Sequence, residues 1–501
     1  MELAVKISYT ILIAALTALS SITSDKYPRL SKLLAGVGLL GVPVTYIALR
    51  LLVLPDYQLV LLLMTSFITT FISLHSAGYY KYMYGVTRYF KLILNTISAL
   101  LVLLFSSIIL LELLVYWLLV DIIIAFTAIT LERGYENLRV SATYLIMCIA
   151  PSDIALLTLW AILATNVGFY EALFIEITKQ YVALNIGPLL SIVLLFGFST
   201  KLGQFPLHSW PPIVYGESPS HVSAVLSSVV SKIGLLGYIL SSRLFTIDQV
   251  AFYIVLVQGL ISTIYGAFAA TLQTNIKRLL AYSSISYYGV ITILYAIFNL
   301  MNIGQAYYLV LVIAVYHGII KALAFINTGL VYQVANTYDI YRLGYLFYIS
   351  KPATLTGFIV LANLISMPPT IGFFVKISTL ILSFELLSLN PAMVVILVAL
   401  VIHTVFAVIY SAKLLSVYTS TLPRAPLRPI QLPREESLSE YVLGFSTVAL
   451  SALTLWILSS PLILIAIYIV TVLILGAMLI KYHKTVFMPG EVKYWLTGVE
   501  S

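Results

Sequence analysis

The chain has 501 residues, 61% of them hydrophobic and 9% charged. Soluble globular proteins carry roughly 25% charged residues, so this deficit excludes a chain that meets water on all sides, and the longest polar run, Arg424 to Glu440, is too short for a soluble domain. The net charge of +8 is not a nucleic-acid footprint, because the basic residues follow a pattern of membrane topology.

Hydrophobic stretches of about 20 residues cross hydrocarbon as helices, whereas barrel strands alternate over roughly 10 residues. The sequence carries the first pattern from end to end. Helices are expected near 5–23, 33–54, 58–77, 89–107, 109–131, 139–163, 186–210, 221–243, 249–272, 280–300, 306–333, 353–388, 391–414, 441–458 and 462–481. The first has only Lys6 ahead of its apolar stretch and no small-x-small exit, which reads as a retained span rather than a cleavable signal. A division at Ser106-Ser107 splits one apolar run in two, and a division at Pro461 decides between fourteen and fifteen spans. The expected fold is an all-α polytopic membrane protein. Its segments are an N-terminal three-helix segment (1–88), a first five-helix repeat (89–243), a second (249–414), and a cytoplasmic loop with C-terminal helices (415–501).

Lysine and arginine concentrate in cytoplasmic loops. With the N-terminus outside, alternate loops put Lys26, Arg29, Lys32, Lys81, Arg88, Lys91, Arg133 and Arg139 on the cytoplasmic side. Lys277, Arg278, Arg342, Lys351, Lys413, Arg424, Arg428, Arg434, Lys481, Lys484 and Lys493 join them, and the C-terminus is then cytoplasmic. Only Lys6, Arg50, Lys179 and Arg243 fall outside, and Lys201, Lys232, Lys321 and Lys376 remain within spans.

Two spans are interrupted. The seventh carries Lys201-Leu202-Gly203-Gln204-Phe205-Pro206, and the twelfth carries Pro368-Pro369-Thr370-Ile371-Gly372-Phe373-Phe374-Val375-Lys376. Proline and glycine break the backbone ladder, which a membrane helix tolerates where protein or trapped water satisfies the freed groups. Paired interruptions at corresponding points of two halves are a transporter signature. Helices four to eight and nine to thirteen form the two expected units, inverted because each holds an odd number of helices. Each broken helix is the fourth of its unit and carries a lysine at the break.

A lysine at mid-bilayer costs about 2.5–3.5 kcal/mol on insertion scales, and Glu112, Asp121 and Asp153 also lie in spans. Hydrocarbon penalises the charged form of a lysine, and a nearby carboxylate restores it. A lysine whose partner moves can therefore switch charge, and a row of them linked by water is a proton path. Plainer readings stand beside this one: Lys232 and Lys321 in static ion pairs, Asp121 pairing helices, Asp153 capping a kink after Pro151-Ser152, and Glu112 reaching the interface. His208 sits beside the first break, and His317 lies four residues before Lys321 on the same helical face. Histidine titrates near neutral pH, which suits a relay. His75, His403 and His483 read as structural or exposed, and Ser283, Ser284 and Ser286 as lining water or packing helices. The single cysteine, Cys148, cannot hold an iron–sulfur cluster, which takes about four. No spacing suggests a metal, and no cofactor is expected.

The run Lys201-Leu-Gly-Gln-Phe-Pro-Leu-His-Ser-Trp-Pro-Pro-Ile-Val-Tyr-Gly-Glu-Ser-Pro-Ser-His-Val-Ser-Ala-Val-Leu226, continuing to Lys232-Ile-Gly234, resembles the signature of the antiporter-like membrane subunits of respiratory complex I. The same family includes subunits of Mrp-type antiporters and of energy-converting hydrogenases. Further matches are Lys277-Arg-Leu-Leu-Ala-Tyr-Ser-Ser-Ile285, His317-Gly-Ile-Ile-Lys-Ala-Leu-Ala-Phe325 and Pro368-Pro-Thr-Ile-Gly-Phe-Phe-Val-Lys376, so the resemblance covers roughly residues 90–380.

The resemblance implies roles. Lys201 corresponds to the lysine of the broken seventh helix, Lys232 to the central lysine of the eighth, His317 and Lys321 to the central pair of the eleventh, and Lys376 to the exit-side lysine of the twelfth. The family pairs its seventh-helix lysine with a fifth-helix glutamate after a tryptophan, but here Trp117 is followed by Leu118. Asp121, three residues on, is the expected substitute, and Asp153 could share the role. Ile213, His221 and Asn275 are further departures from the family pattern.

The function implied is that of a proton-translocating membrane subunit of a complex I-like quinone oxidoreductase, with clusters and quinone held by partner subunits. The alternatives are an Mrp-type cation/proton antiporter subunit, a hydrogenase membrane subunit, a broken-helix solute carrier, and a structural subunit that no longer pumps. Partners expected are other membrane subunits, the lipid bilayer, and protons or Na+. The expected location is a prokaryotic plasma membrane.

Overall fold

A chain in hydrocarbon must satisfy every backbone amide and carbonyl within itself, which long apolar helices do. A computed structural model of the protein describes residues 2–132, 134–179, 184–344, 346–420, 434–457 and 462–487. The first six spans are α1 (Glu2–Ile22), α2 (Pro28–Ala48), α3 (Asp56–Tyr84), α4 (Arg88–Phe105), α5 (Leu110–Ala128) and α6 (Leu138–Val167). The broken seventh span is α7 (Pro188–Lys201) with α8 (Trp210–Glu217). Next come α9 (Ser220–Leu244), α10 (Gln249–Leu272), α11 (Ile276–Met301) and α12 (Gly304–Ala335). The broken twelfth span is α13 (Lys351–Ile365) with α14 (Ile371–Leu389), and α15 (Pro391–Thr419), α16 (Arg434–Ile457) and α17 (Leu462–Phe487) follow.

Among the described residues 13 helices are long and apolar enough to cross a membrane. The broken seventh span and α17 are the other two expected from the sequence. The chain is an all-α polytopic membrane protein. The split at Pro461 itself lies outside the described residues, as do Arg133, Arg424, Arg428 and Lys493, and the side chains of His483 and Lys484 are not described.

Loops meet alternately at two faces. Asp25, in the α1–α2 loop, accepts from the Thr87 amide at 2.9 Å in the α3–α4 loop. Asn275, after α10, bridges to Asp339, after α12. At the other face Ile109 bridges to Glu176, and β1 (Leu184–Asn185) pairs with β2 (Phe245–Thr246). These contacts fit an alternation of the chain between two faces along α1–α12.

Burial is uneven. The most apolar stretch of α9 is 100% buried and that of α12 is 89% buried, against 28% for α15. The helices that carry Lys232, His317 and Lys321 are thus the shielded centre, and α15 turns most of its surface outward. The segment assigned to the C-terminus is not peripheral throughout, because α16 packs against α3, α12 and α14.

Candidate functional site

The first break ends α7 at Lys201. Gly203 adopts a left-handed φ of 65°, and a Cβ there would lie 2.6 Å from Pro211 Cγ, so only glycine fits this turn. The backbone groups that the break frees are taken up by α10: the Phe205 amide donates to Ser262 Oγ at 3.0 Å, and Gln258 Nε2 donates to the Phe205 carbonyl at 2.7 Å. Trp210 Nε1 caps the Thr200 carbonyl at 2.8 Å. Lys201 is fully buried, and its ammonium forms an ion pair with Asp121 of α5. Tyr144 donates to the same carboxylate oxygen at 3.3 Å, and the ammonium lies 5.7 Å from the ring centroids of Trp117 and of Tyr144. Rings at that range add cation–π attraction.

Asp153 is only half-buried, and its Oδ1 has no hydrogen-bond partner among the described residues. The structure brings Asp121 to Lys201 and holds Asp153 outside direct contact. Both acids lie near π-turns, Ile124–Ala128 after Asp121 and Leu145–Ile149 before Asp153, a local irregularity frequent at functional sites.

The centre is built on a third π-turn, Leu226–Val230 in α9. The Ser231 amide bonds back five residues to the Leu226 carbonyl, which leaves the Ser227 carbonyl available. That oxygen accepts from Lys232 Nζ at 2.8 Å and from Tyr288 OH at 2.6 Å. Lys232 Nζ also lies 2.8 Å from His317 Nδ1 on α12. One turn further along α12, Lys321 Nζ donates to the Leu280 carbonyl at 3.0 Å and to Ser283 Oγ. Ser284 Oγ lies 3.1 Å from Ser227 Oγ and joins the two lysine sites. The serine tract of α11 thus lines the lysine row, and Lys232 and Lys321 bond neutral oxygens and an imidazole rather than carboxylates.

The second break leads into α14. Tyr316 donates to the Asn363 carbonyl at 2.9 Å, and Ser451 of α16 donates to the Pro369 carbonyl at 2.8 Å. Lys376 is half-buried in α14, and its Nζ is enclosed with no partner among the described residues. It borders a cavity of about 20 Å³ shared with Tyr287, Thr379 and His403, enough for one water. His403 Nδ1 lies 2.7 Å from Ser286 Oγ, three residues along α11 from the Ser283 that holds Lys321. Sequence reasoning missed His403. Its signal was a lone imidazole in the most hydropathic of the 13 candidate spans among the described residues, and nothing local distinguishes that from a structural histidine.

His208 is not brought to the row. It is half-buried, its Nδ1 lies 3.1 Å from its own Pro206 carbonyl, and its ring meets Tyr265 at 4.6 Å. Glu112 lies 3.3 Å from Lys6 and accepts from the Ile108 amide at 2.8 Å, anchoring α5 to α1 at the face opposite the Asn275–Asp339 bridge. No hydrogen bond among the described residues joins Lys201 to Lys232. The arrangement is an ion pair at one break, a Lys–His–Lys centre, and an unpaired lysine over a water-sized cavity at the other break.

The family described as "NADH:quinone oxidoreductase/Mrp antiporter, TM" matches residues 110–406. A relative from Microcystis aeruginosa, "NAD(P)H-quinone oxidoreductase chain 4 2", is 36% identical over 153 residues, 30% of this chain and 27% of that protein. A probable K(+)/H(+) antiporter component from Rhizobium meliloti is 30% identical over 355 residues, 69% of this chain and 34% of that protein. The matched stretches therefore span about a third of these relatives or less. Among solved structures, a chain of the "Mrp complex" from a Dietzia species superposes with a TM-score of 0.71 at 15% identity, covering 90% of this chain and 95% of that one.

Proposed function

The chain belongs to the NADH:quinone oxidoreductase/Mrp antiporter transmembrane family, and from that premise we propose that it is a proton-translocating membrane subunit of a complex I-like quinone oxidoreductase. The observation that carries the reading is the buried Lys232–His317 contact at 2.8 Å, flanked by Lys321 and by a lysine at each break. Protons are the cargo, and redox chemistry belongs to partner subunits.

Charge alternation along the row drives the motion. With the Asp121–Lys201 pair closed, both ions are compensated. Opening it leaves an ammonium without a counter-charge in an apolar pocket, a state costly enough to favour handing the proton on. Lys232 and His317 share one contact, so the pair holds a single excess proton between them and transfers it when a second charge approaches. Lys321 and the serines Ser283 and Ser284 extend the path, and His403 with one water carries it to Lys376. The two units 89–243 and 249–414 act as halves, each gated at its own break. The protein sits in a prokaryotic plasma membrane with its N-terminus outside and its C-terminus in the cytoplasm, beside other membrane subunits and cluster- and quinone-binding ones.

Membership of an Mrp-type cation/proton antiporter is the second reading. It is favoured by the 69% share of this chain aligned with the Rhizobium meliloti antiporter component. Co-purification separates the two: cluster-bearing subunits support the first, and a set of small membrane subunits supports the second. The shared core of both is tested by Lys232→Ala and Lys201→Ala in the reconstituted complex. Each is expected to abolish proton transfer, Lys232→Ala with little loss of assembly and Lys201→Ala with some loss because it strands the buried Asp121, and normal pumping in either would remove the relay.

A further inference from the structure

Outside the lysine row lies a buried cluster that the mechanism does not use. His75 of α3, His221 of α9 and Glu440 of α16 are all fully buried. His75 Nδ1 lies 2.8 Å from His221 Nε2, and His75 Nε2 lies 3.9 Å from Glu440 Oε1. His75 Nε2, Glu440 Oε1 and His221 Nδ1 have no hydrogen-bond partner among the described residues. The other carboxylate oxygen, Glu440 Oε2, accepts from Thr356 of α13 and, at 3.5 Å, from Asn327 of α12, whose Oδ1 accepts from Tyr418 of α15 at 2.6 Å. Glu436 is one turn earlier on α16 and fills the space that a side chain on Gly78 of α3 would need.

We propose that Glu440, His75 and His221 form a second proton-loading site, on the face that carries Lys81 and Lys277, which feeds Lys232; the proposal rests on the proton-translocating reading above. The geometry makes the histidine pair a one-proton conveyor. When His75 Nδ1–H donates to His221 Nε2, His75 Nε2 is a lone pair facing Glu440 and His221 carries its proton on Nδ1. Glu440 gives a proton to His75 Nε2, the Nδ1 proton crosses to His221 Nε2, and the His221 Nδ1 proton leaves. One proton enters and one departs, and both rings end neutral in the other tautomer. Glu440 recovers its proton through Glu436.

The outlet lies on the same helix. Ser228 lies between His221 and Lys232 along α9, and its Oγ is buried without a partner among the described residues. About 10 Å of helix separates His221 from Ser228. Gly318 of α12 closes that stretch: a Cβ there would lie 2.8 Å from Met64 Sδ and 3.1 Å from the Ser228 carbonyl. Met64 and Ile68 of α3 fill the space beside Gly318 and Ser228, so in this proposal the conveyor reaches Lys232 only when α3 and α12 part. Other titratable groups face it. Tyr79 and Tyr80 pack their rings 4.7 Å and 5.2 Å from His221. Lys277 lies over Tyr338 and acts on His221 through space, and Glu132 acts on both tyrosines. Tyr441 and Glu436 share α16 with Glu440.

The test uses the intact complex in liposomes, with proton uptake followed against pH on the Lys81 face. Glu440→Gln is expected to slow uptake at alkaline pH by roughly a hundredfold, the low end of what a positioned proton carrier contributes, and to lose less at acid pH. Glu440→Asp is expected to keep the wild-type profile shape. A static polar contact would lower the rate equally at all pH values, or not at all, and either result overturns the proposal while leaving the lysine row intact. Infrared titration of the 13C-glutamate-labelled wild-type complex is the independent reading. A carboxyl stretch that titrates and is absent from Glu440→Gln supports the site, and its absence from the wild type overturns it even where Lys232→Ala abolishes pumping.

Discussion

The two broken spans meet the same problem in different ways. Each interrupts a membrane helix, has a freed carbonyl capped by a neighbouring helix, and carries a lysine, fully buried at the first break and half-buried at the second. At the first, Lys201 is ion-paired to Asp121 and flanked by Trp117 and Tyr144. At the second, Lys376 has no partner among the described residues and borders room for one water. In the proposed path, a lysine with a fixed counter-charge is a latch, closed until something moves the acid. A lysine beside a water-sized cavity is there a release point, able to lose its proton without breaking a pair. The two ends of the row therefore differ in what holds the charge, and a proton path needs that asymmetry to have a direction.

Removing the acid at the first break has the largest expected effect. Asp121→Asn leaves Lys201 buried with no counter-ion, which costs about 3–5 kcal/mol when one partner of a buried pair is deleted. Proton transfer and the thermal stability of the complex should both fall. Asp153→Asn, at a half-buried position outside contact with Lys201, should lower each far less. If Asp121→Asn pumps normally and Asp153→Asn does not, the partner is on α6 and the latch is misassigned.

Removing the lysine at the second break should separate transport from stability. Lys376→Met deletes no pair, and it takes a charge-bearing group out of hydrocarbon, so Tm should hold or rise. Transport should slow by on the order of a hundredfold, the scale of one positioned proton carrier. A drop in Tm matching that of Asp121→Asn would mean that Lys376 has a structural partner after all, and the contrast between the breaks would collapse.

A smaller effect is expected from moving the latch. Leu118 is one turn before Asp121 on α5, and Leu118→Glu combined with Asp121→Leu keeps one carboxylate on that face with a longer reach. Part of the pumping lost in Asp121→Leu alone should return in the double variant. No recovery would show that Tyr144, which donates to Asp121 at 3.3 Å, fixes the acid's position as well as its charge.

Much of this was legible because membrane physics writes in large letters. The span 249–272 is read from sequence with the limits it has in the structure, and Pro and Gly mark both breaks. The lysines stand out because charge in an apolar run is costly. What was not legible has a common cause: it depends on which helices touch. His75 and His221 are 146 residues apart and share a hydrogen bond, and Glu440, the last residue of a polar run read as a cytoplasmic loop, completes their cluster from within α16. His403 looks like any histidine until α11 sets Ser286 against it. Periodicity gives the face on which a residue lies, and only packing gives what the face meets.

The smallest expected effect concerns a residue that sequence position favours and geometry does not. His208 lies seven residues after Lys201, in the interrupted segment itself, where a titrating imidazole would suit the latch. Its Nδ1 is instead occupied by the Pro206 carbonyl of its own turn, and its ring packs against Phe205 and Tyr265. It is half-buried, so its loss leaves no sealed void and strands no charge. His208→Ala should therefore change stability by about 0.5 kcal/mol or less beyond the lost ring packing, with the pH profile of transport unmoved. A shifted profile in His208→Ala, read in the same liposome assay as Asp121→Asn, would place a second titrating group at the first break and make the latch a two-group device.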